Sequence, residues 1–129
     1  MNYFDMFVLQ ISNIPMKETK LGDFEEVILL LVGILDQEAY AFRIAKEFEV
    51  QTTRNVSIGA VHSTLNRLGE KGFLTSEMGA ATAERGGRRK RIYTITAAGE
   101  RALKDSRDLR VSLWSQYPAL AGGNLNFNI

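Results

Sequence analysis

The sequence predicts a fold of the α+β class, mostly α, and three observations lead there. Between Ser57 and Gly72 runs a helical segment with one apolar and one polar arc. It leads into two β-prone stretches, Phe73 to Met78 and Arg89 to Thr96, joined by a loop of small and basic residues. Helical patterns precede and follow this unit, and the last of them is the longest, about Ala97 to Gln116. Helices, then a hairpin with a basic tip, then a closing helix is the order of a winged helix-turn-helix with a C-terminal dimerisation helix.

The elements follow in order. Residues 1–20 stand apart as an N-terminal extension. The polar stretch Met16-Lys17-Glu18-Thr19-Lys20 directly precedes the first helix, so Met16 is expected to be the true start. The competing expectation is an arm that packs Phe4, Phe7 and Ile11 on a partner subunit. Residues 21–96 form the winged helix. Its first helix spans about Gly22 to Leu35, with Glu25 and Glu26 in the first turn, where acids suit the helix dipole. The run Val27-Ile28-Leu29-Leu30-Leu31-Val32 is apolar all round, so it is expected to face its own core on one side and another subunit on the other. Ile28 and Leu31 are assigned to that seam.

The second helix, about Tyr40 to Val50, sets Tyr40, Ile44 and Phe48 four apart. Gln51 to Asn55 reads as a loop, and Val56 as a short bridge to the wing. Ser57 caps the third helix with its hydroxyl, and Gly72 ends it in the C′ position. Gly79 to Arg88, too long for a tight turn, reads as a mobile wing. Thr96 caps the fourth helix, which stops before Pro118, so residues 97–118 make the dimerisation element. Residues 119–129, with Gly122-Gly123-Asn124, read as a disordered tail.

Composition narrows the function classes. A chain of 129 residues, 45% apolar and 24% charged, has the size and balance of one ordinary domain. Cysteine is absent and His62 is the one histidine. Thiolate sites and histidine clusters are therefore excluded, and no cofactor or metal is expected. No nucleophile–base pair or paired acids stand on one face, so an enzyme is rejected. The apolar run Val27 to Leu35 is far short of the roughly 20 residues a membrane helix needs. The N-terminus has no basic region and no small-residue cleavage site, and a cytoplasmic, nucleoid-associated protein is expected.

The candidate site is a polar helix face beside a basic loop. Ile58, Val61, Leu65 and Leu68 fall within about 80° on the third helix. The opposite arc carries Gly59, Ala60, His62, Ser63, Asn66, Arg67 and Glu70. Small, hydrogen-bonding groups there suit close approach to base edges. Ser57, Ala60, His62, Ser63, Asn66 and Arg67 are the candidates for DNA contact, with two further readings for Arg67, a pair with Glu70 or with Glu47. The formal net charge is only +1, yet Arg85, Arg88, Arg89, Lys90 and Arg91 place five cations within seven residues. After a recognition-like helix, such a cluster reads as a phosphate contact. Gly86-Gly87 reads as a wing tip, because nucleotide-cradling glycines join a strand to a helix. Leu103, Leu109, Leu113, Trp114 and Tyr117 line the apolar side of the fourth helix; Leu109, Leu113, Trp114 and Tyr117 are assigned to a homodimer seam.

Four stretches in order carry a resemblance. They are Leu21-Gly22-Asp23-Phe24-Glu25, Tyr40-Ala41-Phe42-Arg43-Ile44, Ser57 to His62 with Leu65-Asn66-Arg67-Leu68 and Lys71-Gly72, and Arg91-Ile92-Tyr93-Thr94-Ile95-Thr96-Ala97-Ala98-Gly99. Over roughly Leu21 to Trp114 the chain resembles the short type of PadR-like transcriptional regulator. It departs from that pattern at Ala41, where Gly is usual, at His62 and Ser63, where Tyr and Pro are frequent, and at Gly69, where Glu is common. These departures touch base preference, not fold. The resemblance implies a homodimeric, sequence-specific regulator that binds a palindromic operator in double-stranded DNA and represses adjacent genes. It also raises a small apolar effector near Trp114, against the plainer reading of Trp114 as a packing aromatic at the seam. The alternative class is a winged-helix module that dimerises and binds protein instead of DNA.

Overall fold

Glu25 closes the first turn of the first helix by accepting the backbone N–H of Gly22 at 2.7 Å. This helix, α1 (Asp23–Leu35), carries Asp23, Glu25 and Glu26 in its first turn, at the positive end of its dipole. The structure is a computed structural model that describes residues 20–80 and 89–121. After α1 come a 3₁₀ turn (Asp36–Glu38), α2 (Ala41–Thr52), α3 (Ile58–Glu70), β1 (Leu74–Met78), β2 (Arg91–Ile95), α4 (Ala97–Gln116) and the single turn α5 (Pro118–Ala121). This is the winged helix-turn-helix order: three helices, a hairpin and a long closing helix.

The core lies where α1, α2, α3 and the hairpin meet. Ile28, Leu29 and Val32 from α1 pack with Ile44 and Phe48 from α2, Val61, Leu65 and Leu68 from α3, and Leu74 and Tyr93 from the strands. Here one expectation is corrected. Ile28 and Leu31, assigned to a subunit seam, are 0% and 3% exposed within the chain's own core and offer no surface to a partner. The exposed large apolar residues of α1 are Val27, Leu30 and Ile34, spaced to share one face.

The strands pair antiparallel in the register Leu74↔Ile95 through Met78↔Arg91. A two-stranded hairpin is marginal alone, and this one is tied down at its base. The Tyr93 N–H donates to the Ala39 carbonyl at 2.9 Å, and the Thr96 N–H to the Phe73 carbonyl at 3.0 Å. The bridge expected at Val56 is thus made by Ala39, ahead of α2. Val56 packs on the core instead.

Helix ends follow local chemistry. The Ser57 hydroxyl accepts the Ala60 N–H at 3.0 Å. Gly72 adopts φ +79°, the left-handed conformation that ends α3. Thr96 accepts the Gly99 N–H at 3.1 Å and donates its hydroxyl proton to the Gly72 carbonyl at 2.7 Å, so one side chain starts α4 and stitches it to the end of α3. Helix α2 runs through Gln51 and Thr52, where a loop was expected, and ends at Thr53 in the left-handed region. Helix α4 ends at Gln116. Tyr117 is extended before Pro118, and α5 then forms a helical turn where the disordered tail was expected to begin. Residues 1–19, with the two expectations for the extension, and 122–129 lie outside the described residues.

Only the first half of α4 belongs to the core. Gly99 is buried, and Ala98, Ala102 and Leu103 pack against the cluster. Farther along, Leu109, Leu113, Trp114 and Tyr117 are exposed, Leu109 at 60%.

Candidate nucleic-acid interface

Helix α3 turns Val61, Thr64, Leu65 and Leu68 inward. That orientation leaves Ser57, His62, Ser63, Asn66 and Arg67 exposed and Ala60 half-buried on the outer arc, where the amphipathic pattern places them. Ile58, expected on the inner stripe, sits at the helix start and is largely exposed. Thr64 escaped the pattern because threonine reads as polar; it is buried, and its hydroxyl accepts from Arg67 Nη2 at 3.1 Å.

Arg67 pairs with neither Glu70 nor Glu47. Its Nε lies 3.6 Å from Glu25 Oε2. Glu25 is the hub beneath the end of α3, for Lys71 Nζ donates to both its oxygens, at 2.8 and 2.9 Å. Burial works to raise the Glu25 pKa. The hydrogen bonds from Lys71 and from the Gly22 N–H, with the charges of Lys71 and Arg67, outweigh that effect and hold the carboxyl below the usual carboxylate range. Lys71 Nζ also donates to the Lys20 carbonyl at 2.7 Å. The C-terminal end of α3 is therefore fixed to the start of α1.

The wing stem stands beside this arc. Arg89 Nε donates to the Gly79 carbonyl at 2.9 Å and its Nη2 to the Met78 carbonyl at 3.2 Å. Lys90 Nζ lies 4.0 Å from the centre of the Tyr40 ring. Arg91 Nη1 donates to the Ser76 hydroxyl at 3.1 Å. Each stem cation therefore has a partner inside the chain, which the charge count alone did not reveal. Tyr40 was read by its spacing with Ile44 and Phe48 and as part of the resemblance, not as the partner of a wing cation. Arg85, Arg88 and the Gly86-Gly87 pair lie outside the described residues.

On the opposite flank, Glu26, Leu30, Leu103, Arg110, Val111 and Trp114 line a groove of about 360 Å³ between α1 and α4. Arg110 Nη2 reaches Asp23 Oδ1 at 3.3 Å and Glu26 Oε2 at 3.2 Å, which ties the exposed half of α4 to the first turn of α1. Trp114 meets Tyr117 edge to face, with ring centres 6.4 Å apart. Among the described residues no helix is long and apolar enough to cross a membrane.

Residues 28–105 match the transcriptional regulator PadR-like family. The chain belongs to that family. Among solved structures it is similar to a PadR family transcriptional regulator from Eggerthella lenta DSM 2243, at 19% identity and a TM-score of 0.58, covering 95% of this chain and 97% of that one. A PadR-like regulator from Bacillus cereus gives 18% identity and a TM-score of 0.57 over 75% of this chain and 92% of the other. Bacillus subtilis PadR, solved in complex with operator DNA, gives 22% identity and a TM-score of 0.52 over 65% of this chain and 46% of that one. No curated protein matches the chain. At these identities the structures show the shared fold, and the family match makes this PadR-like chain a DNA-binding transcription regulator and not an enzyme.

Proposed function

We propose that this regulator binds a palindromic operator as a homodimer and represses the adjacent genes from the cytoplasmic nucleoid. The observation that carries the proposal is the outer arc of α3. Its small and hydrogen-bonding residues stand exposed beside a basic wing stem, which suits a helix lying in the major groove with cations along the flanking backbone. In this reading Ser63 and Asn66 meet base edges, His62 and Arg67 meet bases or phosphates, and Ser57 and Ala60 let the helix start approach the backbone. Arg85, Arg88 and Arg91 supply phosphate neutralisation from the wing. The complex of Bacillus subtilis PadR with operator DNA supports the reading by kinship.

The dimer is proposed through Val27, Leu30 and Ile34 of α1, Leu109, Leu113 and Trp114 of α4, and Tyr117 just past its end. All seven are exposed apolar groups on or beside two helices tied together by Arg110, and a patch of that kind marks an interaction surface. Two-fold pairing matches a palindromic site. A smaller second proposal is that the groove beside Trp114 admits a small apolar effector, since Leu30, Leu103 and Val111 line it. Quenching of Trp114 fluorescence on titration with flat apolar compounds tests it.

The deciding experiment is a gel shift with DNA from the gene's own promoter at moderate salt, beside sedimentation of the free protein. A dimer that retards promoter DNA better than random DNA is the expected result. A dimer that retards neither turns the reading toward a protein-interaction module.

A further inference from the structure

Strand β1 ends at Met78 and β2 begins at Arg91, and several contacts converge at that mouth. The Gly79 N–H donates to the Lys90 carbonyl at 2.6 Å. Arg89 spans both rungs, holding the Met78 and Gly79 carbonyls. A side chain at Gly79 would press on the Lys90 carbonyl and on Ile92, each 3.3 Å from where its Cβ would stand, so the mouth closes tightly. These contacts stay within the hairpin. The Lys90 ammonium leaves it, lying over the ring of Tyr40, the residue that caps α2. Next to Tyr40, Ala39 accepts the Tyr93 N–H, a second tie between the same two pieces of chain.

We infer that Lys90 and Tyr40 form a clasp that sets the direction of the wing stem against the start of α2, and through it against α3. Lys90 is then a positioning residue and not a phosphate ligand. An ammonium 4.0 Å from a ring centre is well inside the range of a cation–π contact. To reach a phosphate it would have to leave the ring. Half-buried as Lys90 and Tyr40 are, the pair is partly shielded from competing water. The consequence for DNA rests on the operator-binding reading above; the clasp itself does not.

The test uses the full chain and four variants: Lys90→Met, Tyr40→Leu, the two combined, and Tyr40→Phe, which keeps the ring. The first readout needs no DNA. Hydrogen exchange at the Gly79 amide is expected to quicken about two- to fivefold in Lys90→Met and in Tyr40→Leu. The double variant should be no faster than either, and Tyr40→Phe should match the parent. An unchanged Gly79 amide in Lys90→Met overturns the clasp. The second readout is affinity for promoter DNA at several salt concentrations. Lys90→Met and Tyr40→Leu are expected to weaken binding by similar factors that do not multiply in the double variant. A phosphate ligand behaves otherwise: Lys90→Met alone would lower the slope of log K against log salt by about one unit, and the two losses would multiply. That result overturns the positioning role. If the parent binds no promoter DNA, the operator reading fails while the exchange data still decide the clasp.

Discussion

Lys71, the residue just beyond the last turn of α3, holds Glu25, in the first turn of α1, at 2.8 and 2.9 Å across 46 positions of sequence. Both side chains are almost wholly covered. A carboxylate in this position is committed to staying charged, since it also caps its own helix through the Gly22 N–H.

Glu25→Gln should therefore cost about 1.5–3 kcal/mol at neutral pH, the range for a hydrogen bond to a charged group. The pH dependence has a fixed sign. The folded pKa of Glu25 lies below its unfolded value of about 4.3, so its stabilisation is complete above that value. It is lost as pH falls through the folded pKa. Urea melts of parent and variant should differ at pH 7 and converge in acid. A gap that stays constant from pH 7 down to pH 2 would remove Glu25 as the source.

Gly99 marks how closely α4 approaches the hairpin. A Cβ there would be driven into the Phe73 carbonyl oxygen and would crowd Ile95 at 2.9 Å. The obstacle is backbone, which cannot swing aside. Gly99→Ala should destabilise the fold by at least about 2 kcal/mol, despite the better helix propensity of alanine. Thermal melting reads this directly, and an unchanged or raised Tm would mean α4 can slide away from Phe73.

Thr53 ends α2 at φ 57° and ψ 18°, a left-handed conformation that strains a β-branched residue. Its N–H still caps the helix by donating to the Glu49 carbonyl at 2.8 Å. Thr53→Gly should keep that bond and stabilise the fold by roughly 0.5–1 kcal/mol. A loss of stability would show that the Thr53 hydroxyl, which donates to the Thr52 carbonyl at 2.6 Å, matters more than the strain.

What the sequence made legible was local. Ser57, Gly72 and Thr96 each announce a helix end by their own chemistry, and all three act as expected. Val61, Leu65 and Leu68 of the inward stripe of α3 were legible for the same reason, period and polarity agreeing over several turns, whereas Ile58 at the helix start is exposed and Thr64 was missed. What was not legible depends on which distant pieces meet. An all-round apolar α1 reads alike whether Ile28 faces a core or a partner, and only the packed fold separates them. Likewise Glu25 with Lys71, Ala39 with Tyr93 and Lys90 with Tyr40 join segments far apart in sequence, so no spacing rule connects them. Within the site, the polar arc could be read from its pattern, whereas the internal partners of Arg67, Arg89, Lys90 and Arg91 could not.

The proposed seam predicts coupling between assembly and DNA binding. Leu113→Asp puts a charge on the exposed half of α4, where Leu113 is 57% exposed in the free chain. Folding should be unaffected, because that half of the helix is outside the core. Sedimentation should show the dimer at least tenfold weaker, and operator affinity should fall with it, since two half-sites are held together by one seam. A folded monomer that binds the operator as tightly as the parent would separate the two functions and place the seam elsewhere.

The last prediction separates reading from positioning. Asn66 is exposed on the outer arc of α3, and its neighbours fix that helix from both ends. Ser57 caps the start, and Glu25 anchors Lys71 just beyond the last turn. A carboxamide on a rigid helix can hold a fixed donor–acceptor pattern against a base edge. Arg85 and Arg88 belong to the basic run proposed to meet phosphates, which carry no base pattern. Asn66→Ala should cost roughly 1–3 kcal/mol on the operator, with little change on random DNA and little change in salt slope. Replacing Arg85 and Arg88 together with alanine should weaken both DNAs alike and flatten the slope of log K against log salt by roughly two units. One set of isotherms across several salt concentrations, on both DNAs, measures all of this. Equal loss on operator and random DNA for Asn66→Ala would mean that α3 does not read sequence through this residue, and base recognition would then have to lie with His62, Ser63 or Arg67.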